Sequence, residues 1–234
     1  DDGSVPFDHS DIDFPGGAFT TYATEDEEKA RYVAERIAAG ELAQFTFLLL
    51  PNDHTAGTDP GFPTPESMVA DNDYAVGLVV EALAKSPFWD KTLVLILQDV
   101  PQGGDDHVDA HRSPLLAVGP WARRGHQSHV QASFMQVFAT IERILGVPPV
   151  GRQTASVQPL WDMLTATPDP APFTAIARAY PKEMNPEAGF GAAASRKMDF
   201  RSPDREPLLG PLLDAYRLWR MGRLTRAQAE ARFA

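Results

Sequence analysis

Three short stretches of the chain carry the side chains best suited to chemistry. They are Asn52-Asp53-His54-Thr55, Gln98-Asp99, and Asp105-Asp106-His107-Val108-Asp109-Ala110-His111. Together they hold three of the six histidines, on the same stretches as the acids. Imidazole and carboxylate are the donors expected around zinc, manganese or iron, and oxygen-rich subsets suit magnesium or calcium. One or two such ions could polarise a phosphoryl oxygen and hold an attacking oxygen in its ionised form. Taken singly, each piece has a plainer reading. An Asp-His pair after a strand caps a turn, and Asp105, Asp106 and Asp109 serve as solvated loop acids. Concentration of titratable groups on two loops is what favours a site.

Those loops need elements to position them. Thr24-Glu25-Asp26-Glu27 has the form of a helix start, with Ala30, Val33, Ala34 and Ile37 following at helical spacing and Gly40 as a stop. A helix is predicted from Ser67 to Lys85 and another from Ser133 to Leu145, closed by Gly146. Phe45–Leu50, Thr92–Leu97 and Leu115–Val118 are short apolar runs that read as buried strands. Alternation of strand, loop and helix predicts an α/β fold, a mainly parallel sheet flanked by helices. Ligands of such sheets bind at the carboxyl ends of strands, where the loops at 51–65 and 98–114 begin. Residues 1–24 read as an irregular lead-in, 25–164 as the α/β core, and 165–234 as an extended tail. The tail ends in an amphipathic helix over 212–233, with Thr225 as a cap inside it.

Composition narrows the function classes. The chain has 234 residues, 43% of them hydrophobic and 23% charged, as in a soluble globular protein. A net charge of −11 argues against a nucleic-acid-binding surface and against adsorption to anionic membranes. No apolar stretch approaches the roughly 20 residues that span a bilayer. There are no cysteines, which excludes disulfides, thiolate metal sites and a Cys nucleophile. Absence of cysteine fits a periplasmic or secreted protein and a cytosolic one alike. His9, His126 and His129 read as surface or capping residues, and Arg123-Arg124 as a surface pair that could meet a substrate phosphate.

From Leu50-Pro51-Asn52-Asp53-His54-Thr55-Ala56-Gly57-Thr58 onward the chain resembles a bacterial phosphoesterase family of the alkaline phosphatase superfamily, specifically its C-terminal half. The resemblance continues through Pro63-Thr64-Pro65, Val69-Ala70-Asp71-Asn72-Asp73 and Ser86-Pro87-Phe88-Trp89. It returns at Asp106-His107-Val108-Asp109-Ala110-His111-Arg112-Ser113-Pro114 and at Met198-Asp199-Phe200. It implies metal-dependent hydrolysis of phosphate esters on an alkaline-phosphatase-like fold; a periplasmic or secreted location is a separate expectation, from the absence of cysteine. Zinc, manganese or calcium would be the cofactor. His54 and His107 match positions that bind one metal in the superfamily, and Asp99 matches a ligand of the second. Asp53 and His111 belong to the same motifs and are further candidate ligands.

Two departures from the family pattern matter. Val100 stands where an oxygen donor is expected, and Gln98 is neutral. Nothing before residue 25 has the layout of a metal-binding strand followed by a Ser or Thr nucleophile, and Thr55 and Thr58 are misplaced to substitute. The leading expectation is therefore a phosphoesterase whose nucleophile lies outside this chain, partnered by a separate N-terminal half or a propeller domain. The alternative is a catalytically degenerate phosphoesterase-like domain acting as a binding or structural subunit.

Overall fold

In a computed structural model of the chain, the described residues are 10–17, 22–99, 113–200 and 206–233. They form two compact units. One gathers the described residues before 83 and from 174 onward; the other comprises 83–99 and 113–173.

The first unit is helical. Helix α1 (Asp26–Ala39) starts one residue later than the Thr24 cap implied, with Glu25 in the cap position, and ends at Gly40 in the left-handed conformation. Its inward stripe is Asp26, Lys29, Ala30, Val33 and Ile37, the 3–4 spacing of one helix face. Helix α2 (Pro65–Ala84) supplies Met68, Ala75 and Val80 as buried apolar positions. The predicted terminal helix is two helices, α6 (Leu209–Arg220) and α7 (Arg226–Glu230). Met221 and a left-handed Gly222 end the first, and Thr225 caps the second by accepting the Gln228 N–H. Leu212, Ala215, Tyr216, Ala229 and Phe233 close around Phe190 from the tail. The short helix α5 (Ala192–Ser195) lies in that tail.

The second unit holds strands β1 (Val94–Leu97) and β2 (Leu115–Val118), with α3 (Phe134–Leu145) and the single turn α4 (Arg152–Ala155). Ser133 caps α3 in a reciprocal box with Gln136, and Gly146 ends it, as the sequence predicts. Thr140, fully buried, accepts the Leu160 N–H at 2.8 Å and so ties the segment after α4 to α3.

The predicted mainly parallel α/β sheet is not formed among the described residues. Helix dominates, and the described residues contain one two-stranded antiparallel sheet, Val94 facing Val118 and Leu97 facing Leu115. Parallel neighbours need a crossover connection, usually a helix. Residues 98–114, polar and Gly-rich, offer no helical period, and β2 returns antiparallel to β1. Phe45–Leu50 is not a strand either: no described neighbour pairs with it, and Phe45, Phe47 and Leu49 are exposed. An unbroken apolar run of six residues specifies burial only if another strand completes the ladder. No helix among the described residues is long and apolar enough to cross a membrane.

Candidate functional site

Asp53 and His54 sit side by side on a 3₁₀ turn, Asn52–His54, at the start of the 51–65 loop. The turn closes through His54 N–H to the Pro51 carbonyl and Thr55 N–H to the Asn52 carbonyl, both 3.1 Å. Asn52 is buried while Asp53 and His54 are half-buried. Its closing residue is unusual. Thr55 has φ 62° and ψ 163°, a region essentially reserved for glycine, where a side chain costs about 1–3 kcal/mol. It is the single non-glycine residue at positive φ among the described residues, and it is 3% exposed.

A buried polar network holds this strained turn. The Asp26 carboxylate accepts the Asn52 N–H at 2.8 Å, the Asn72 amide at 3.0 Å and Lys29 Nζ at 2.9 Å. The Asp71 carboxylate accepts the Asn52 side-chain amide at 2.7 Å and, at 2.7 Å, the Asp26 N–H at the start of α1. Asn72 also donates to the Leu50 carbonyl at 2.8 Å, just upstream of the turn. Arg178, from the tail, lies 3.7 Å from Asp71 and 3.8 Å from Glu27. Asp26, Lys29, Asn52 and Asp71 are all at most 3% exposed. Burial pushes the Asp26 carboxyl above its ordinary range, and the facing Lys29 and the amide donors pull part of that shift back.

The rest of the loop is pinned by the tail. Thr58 N–H donates to Ser195 Oγ at 3.2 Å. The Asn185 amide lies within 3.0–3.2 Å of four carbonyl oxygens, those of Gly57, Asp59, Phe62 and Pro63. Gly57 is at φ 57°, and a Cβ there would come within 3.1 Å of Leu209 and 3.3 Å of Ser195, so the backbone passes where only glycine fits. The expected extended tail is thus a clamp on the loop that carries Asp53 and His54.

Chemically, the turn offers an imidazole and a carboxylate on adjacent residues. His54 Nδ1 lies 3.3 Å from the Thr55 carbonyl, a contact that favours the tautomer with its proton on Nδ1 and a lone pair on Nε2. The ring also lies against Tyr22, centroids 5.6 Å apart. Asp99 follows β1 in the second unit and is exposed. His107 and His111, with Asp105, Asp106, Asp109 and Val100, lie outside the described residues. Among the described residues no group of three or more His, Asp or Glu is gathered as a cation would require. Asp53 and His54 are the adjacent pair of the expected ligand set that lies on one turn of the first unit.

Of the other histidines, His126 places its Nε2 3.0 Å from Asp162 Oδ2. Ser128 first, then His126, holds the Asp162 carboxyl below the usual carboxylate range. Asp26, Asp71, Asn72 and Asn185 were not singled out by sequence as site residues. A signal existed for Asp71, which occupies the helix position between buried Met68 and Ala75 where an apolar residue is expected. Lys29 and Asp26 likewise interrupt the apolar stripe of α1. No signal marked Asn185 within the tail.

No protein-family model matches the chain, and neither a curated protein nor a solved structure matches it closely enough to indicate a relative.

Proposed function

We propose that the chain takes part in metal-dependent hydrolysis of phosphate esters, with Asp53 and His54 supplying two ligands and the nucleophile coming from outside this chain. The observation that carries the reading is the strained Thr55 turn. A fold retains a backbone conformation that costs stability when the position has other work, and such outliers gather at functional sites. Here the strain sits directly after a carboxylate–imidazole pair and is held by two buried aspartates.

One oxygen and one nitrogen donor suit zinc or manganese better than calcium, which prefers all-oxygen shells. Two donors do not complete a coordination shell, so this reading requires further donors beyond the Asp53–His54 turn. A bound cation would stabilise negative charge on the phosphoryl oxygens. The chain's own contribution is to fix the Asp53–His54 pair and to set the His54 tautomer.

Metal analysis after exhaustive dialysis, paired with an aryl phosphate assay, tests the proposal. One or two equivalents of a transition metal are expected, and His54→Ala should lower its affinity by more than roughly tenfold. Retention of the metal in His54→Ala at the parent level would remove this turn from the site. A second reading, a degenerate phosphoesterase-like domain with a binding or structural role, is favoured by Val100 in place of an oxygen donor. It predicts bound metal with no turnover even when a nucleophile-bearing partner is supplied.

A further inference from the structure

Within the first unit, the start of α2, the 180–190 segment of the tail and the α6–α7 region enclose a cleft of about 290 Å³. One wall is aromatic. Phe190 and Trp219 stack with centroids 5.0 Å apart and planes 7° apart, and Tyr216 meets each at a steep angle, 5.6 and 5.8 Å away. The acids of the cleft are Glu66 and Glu183. Glu66 accepts the Tyr216 hydroxyl at 2.9 Å and lies 3.2 Å from Arg220 Nη2.

The cationic side chains do not balance these acids. Arg226 is committed elsewhere, with Nε on Glu230 at 2.9 Å and Nη2 on the Gly189 carbonyl at 2.8 Å. Arg220 serves Glu66, its guanidinium 5.7 Å from the centroid of the Tyr216 ring. The Glu183 carboxylate has no ion pair or hydrogen bond among the described residues. Its backbone is nonetheless fixed, its N–H on Ser67 Oγ at 3.0 Å and its carbonyl on the Thr64 N–H at 2.8 Å. Its field reaches the cleft: after burial, the charges of Glu66 and Glu183 help push the Tyr216 hydroxyl upward. A cation against an aromatic face, next to a carboxylate, is attracted by the ring quadrupole as well as the charge. Arg220 makes that contact from within the chain.

We propose that this cleft binds a guanidinium group carried on an aliphatic stem, its charge met by Glu183 and its plane by the part-exposed Trp219 ring, which Phe190 backs from the core. The proposal is independent of the phosphoesterase reading and shares no residue with the Asp53–His54 turn.

The test is titration of the full chain with n-butylguanidinium, followed by the NMR shift of the Trp219 indole N–H, assigned through Trp219→Phe. Neutral n-butylurea, nearly the same shape, is the comparator. Butylguanidinium is expected to bind in the millimolar range and at least about fivefold more tightly than the urea. Glu183→Gln, a change on an exposed side chain, should weaken it by about fivefold, and Arg220→Met, which removes the internal competitor, should tighten it. N-acetylarginine amide and agmatine then separate a peptide side chain from a free alkylguanidine, and tighter binding by either supports the cleft as a guanidinium site. Equal binding of the urea, unchanged affinity in Glu183→Gln, or no indole shift at about 50 mM probe, well above the expected range, overturns the proposal.

Discussion

Thr55 shows what can be learned from one residue. Its side chain is useful, because its Oγ1 accepts the Gly57 N–H at 3.3 Å, but its backbone lies in glycine's territory. Removing the side chain in two ways separates these effects. Thr55→Ala loses the hydrogen bond and keeps a Cβ in the strained conformation; Thr55→Gly loses the bond and relieves the strain. Glycine should therefore be more stable than alanine here by about 1 kcal/mol, the reverse of the order at ordinary positions, where glycine's larger unfolded entropy counts against it. Urea denaturation of the two variants measures the difference. If alanine proves the more stable, the turn carries no strain and the argument from strain to function fails. Neither the strain nor its location was legible in the sequence. Asn52-Asp53-His54-Thr55 announces a turn and two ligand types, whereas a φ of 62° at a β-branched residue follows from how Asp26 and Asp71 hold the turn, across separations of 19 to 26 residues.

At the scale of elements, the helices and two of the three strands were readable; the third strand and the direction of the sheet were not. The period of Ala30, Val33 and Ile37 marks α1, and Ser133 with Gln136 and Gly146 marks both ends of α3; these signals are local and need no partner. Strand identity and sheet direction depend on which distant segment pairs with which, and six apolar residues at 45–50 carry no such information. The tail illustrates the same limit. Residues 165–191 have no helical or strand period, yet Asn185 reaches across to four carbonyls of the 57–63 stretch. Only a donor suits that position. Asn185→Ala should cost about 1–3 kcal/mol, because buried carbonyls lose their partner. Asn185→Asp should cost more than alanine, since it sets a carboxylate against carbonyl oxygens at a site 6% exposed. Both variants should also speed amide hydrogen exchange in the 57–63 loop. Aspartate tolerated as well as alanine would mean that the amide merely fills space there.

Across the whole molecule, charge is the property sequence alone establishes most firmly, and it bears on stability. The formal net charge is −11 at pH 7 with the six histidines neutral. Such an excess destabilises any compact state through self-repulsion, while the unfolded chain spreads the same charges farther apart. Between pH 8 and pH 5.5 histidines are the chief side chains that titrate, and protonating them makes the net charge less negative by as many as six units. Asp162, lowered from 3.8, lies below this window, whereas Asp26 is raised and acts in the same direction as the repulsion. Burial raises Asp26 from a starting value of 3.8, so any stability linked to its proton is fully present below that value and fades as pH rises through the folded-state value. Asp162 is lowered from the same starting value, so its contribution is present above 3.8 and fades as pH falls through the lower one. The melting temperature at low ionic strength should accordingly be higher at pH 5.5 than at pH 8. Salt distinguishes repulsion from a specific histidine contact. At 0.1 M the screening length is about 10 Å and it shortens further with added salt, so 0.3 M NaCl, about three times that concentration, should raise the pH 8 melting temperature toward the pH 5.5 value. The short-range His126–Asp162 pair, at 3.0 Å, is screened far less. A pH dependence that survives high salt unchanged would assign the effect to short-range or buried groups, the His126–Asp162 contact or Asp26, and a protein more stable at pH 8 than at pH 5.5 in dilute buffer would refute the repulsion argument altogether.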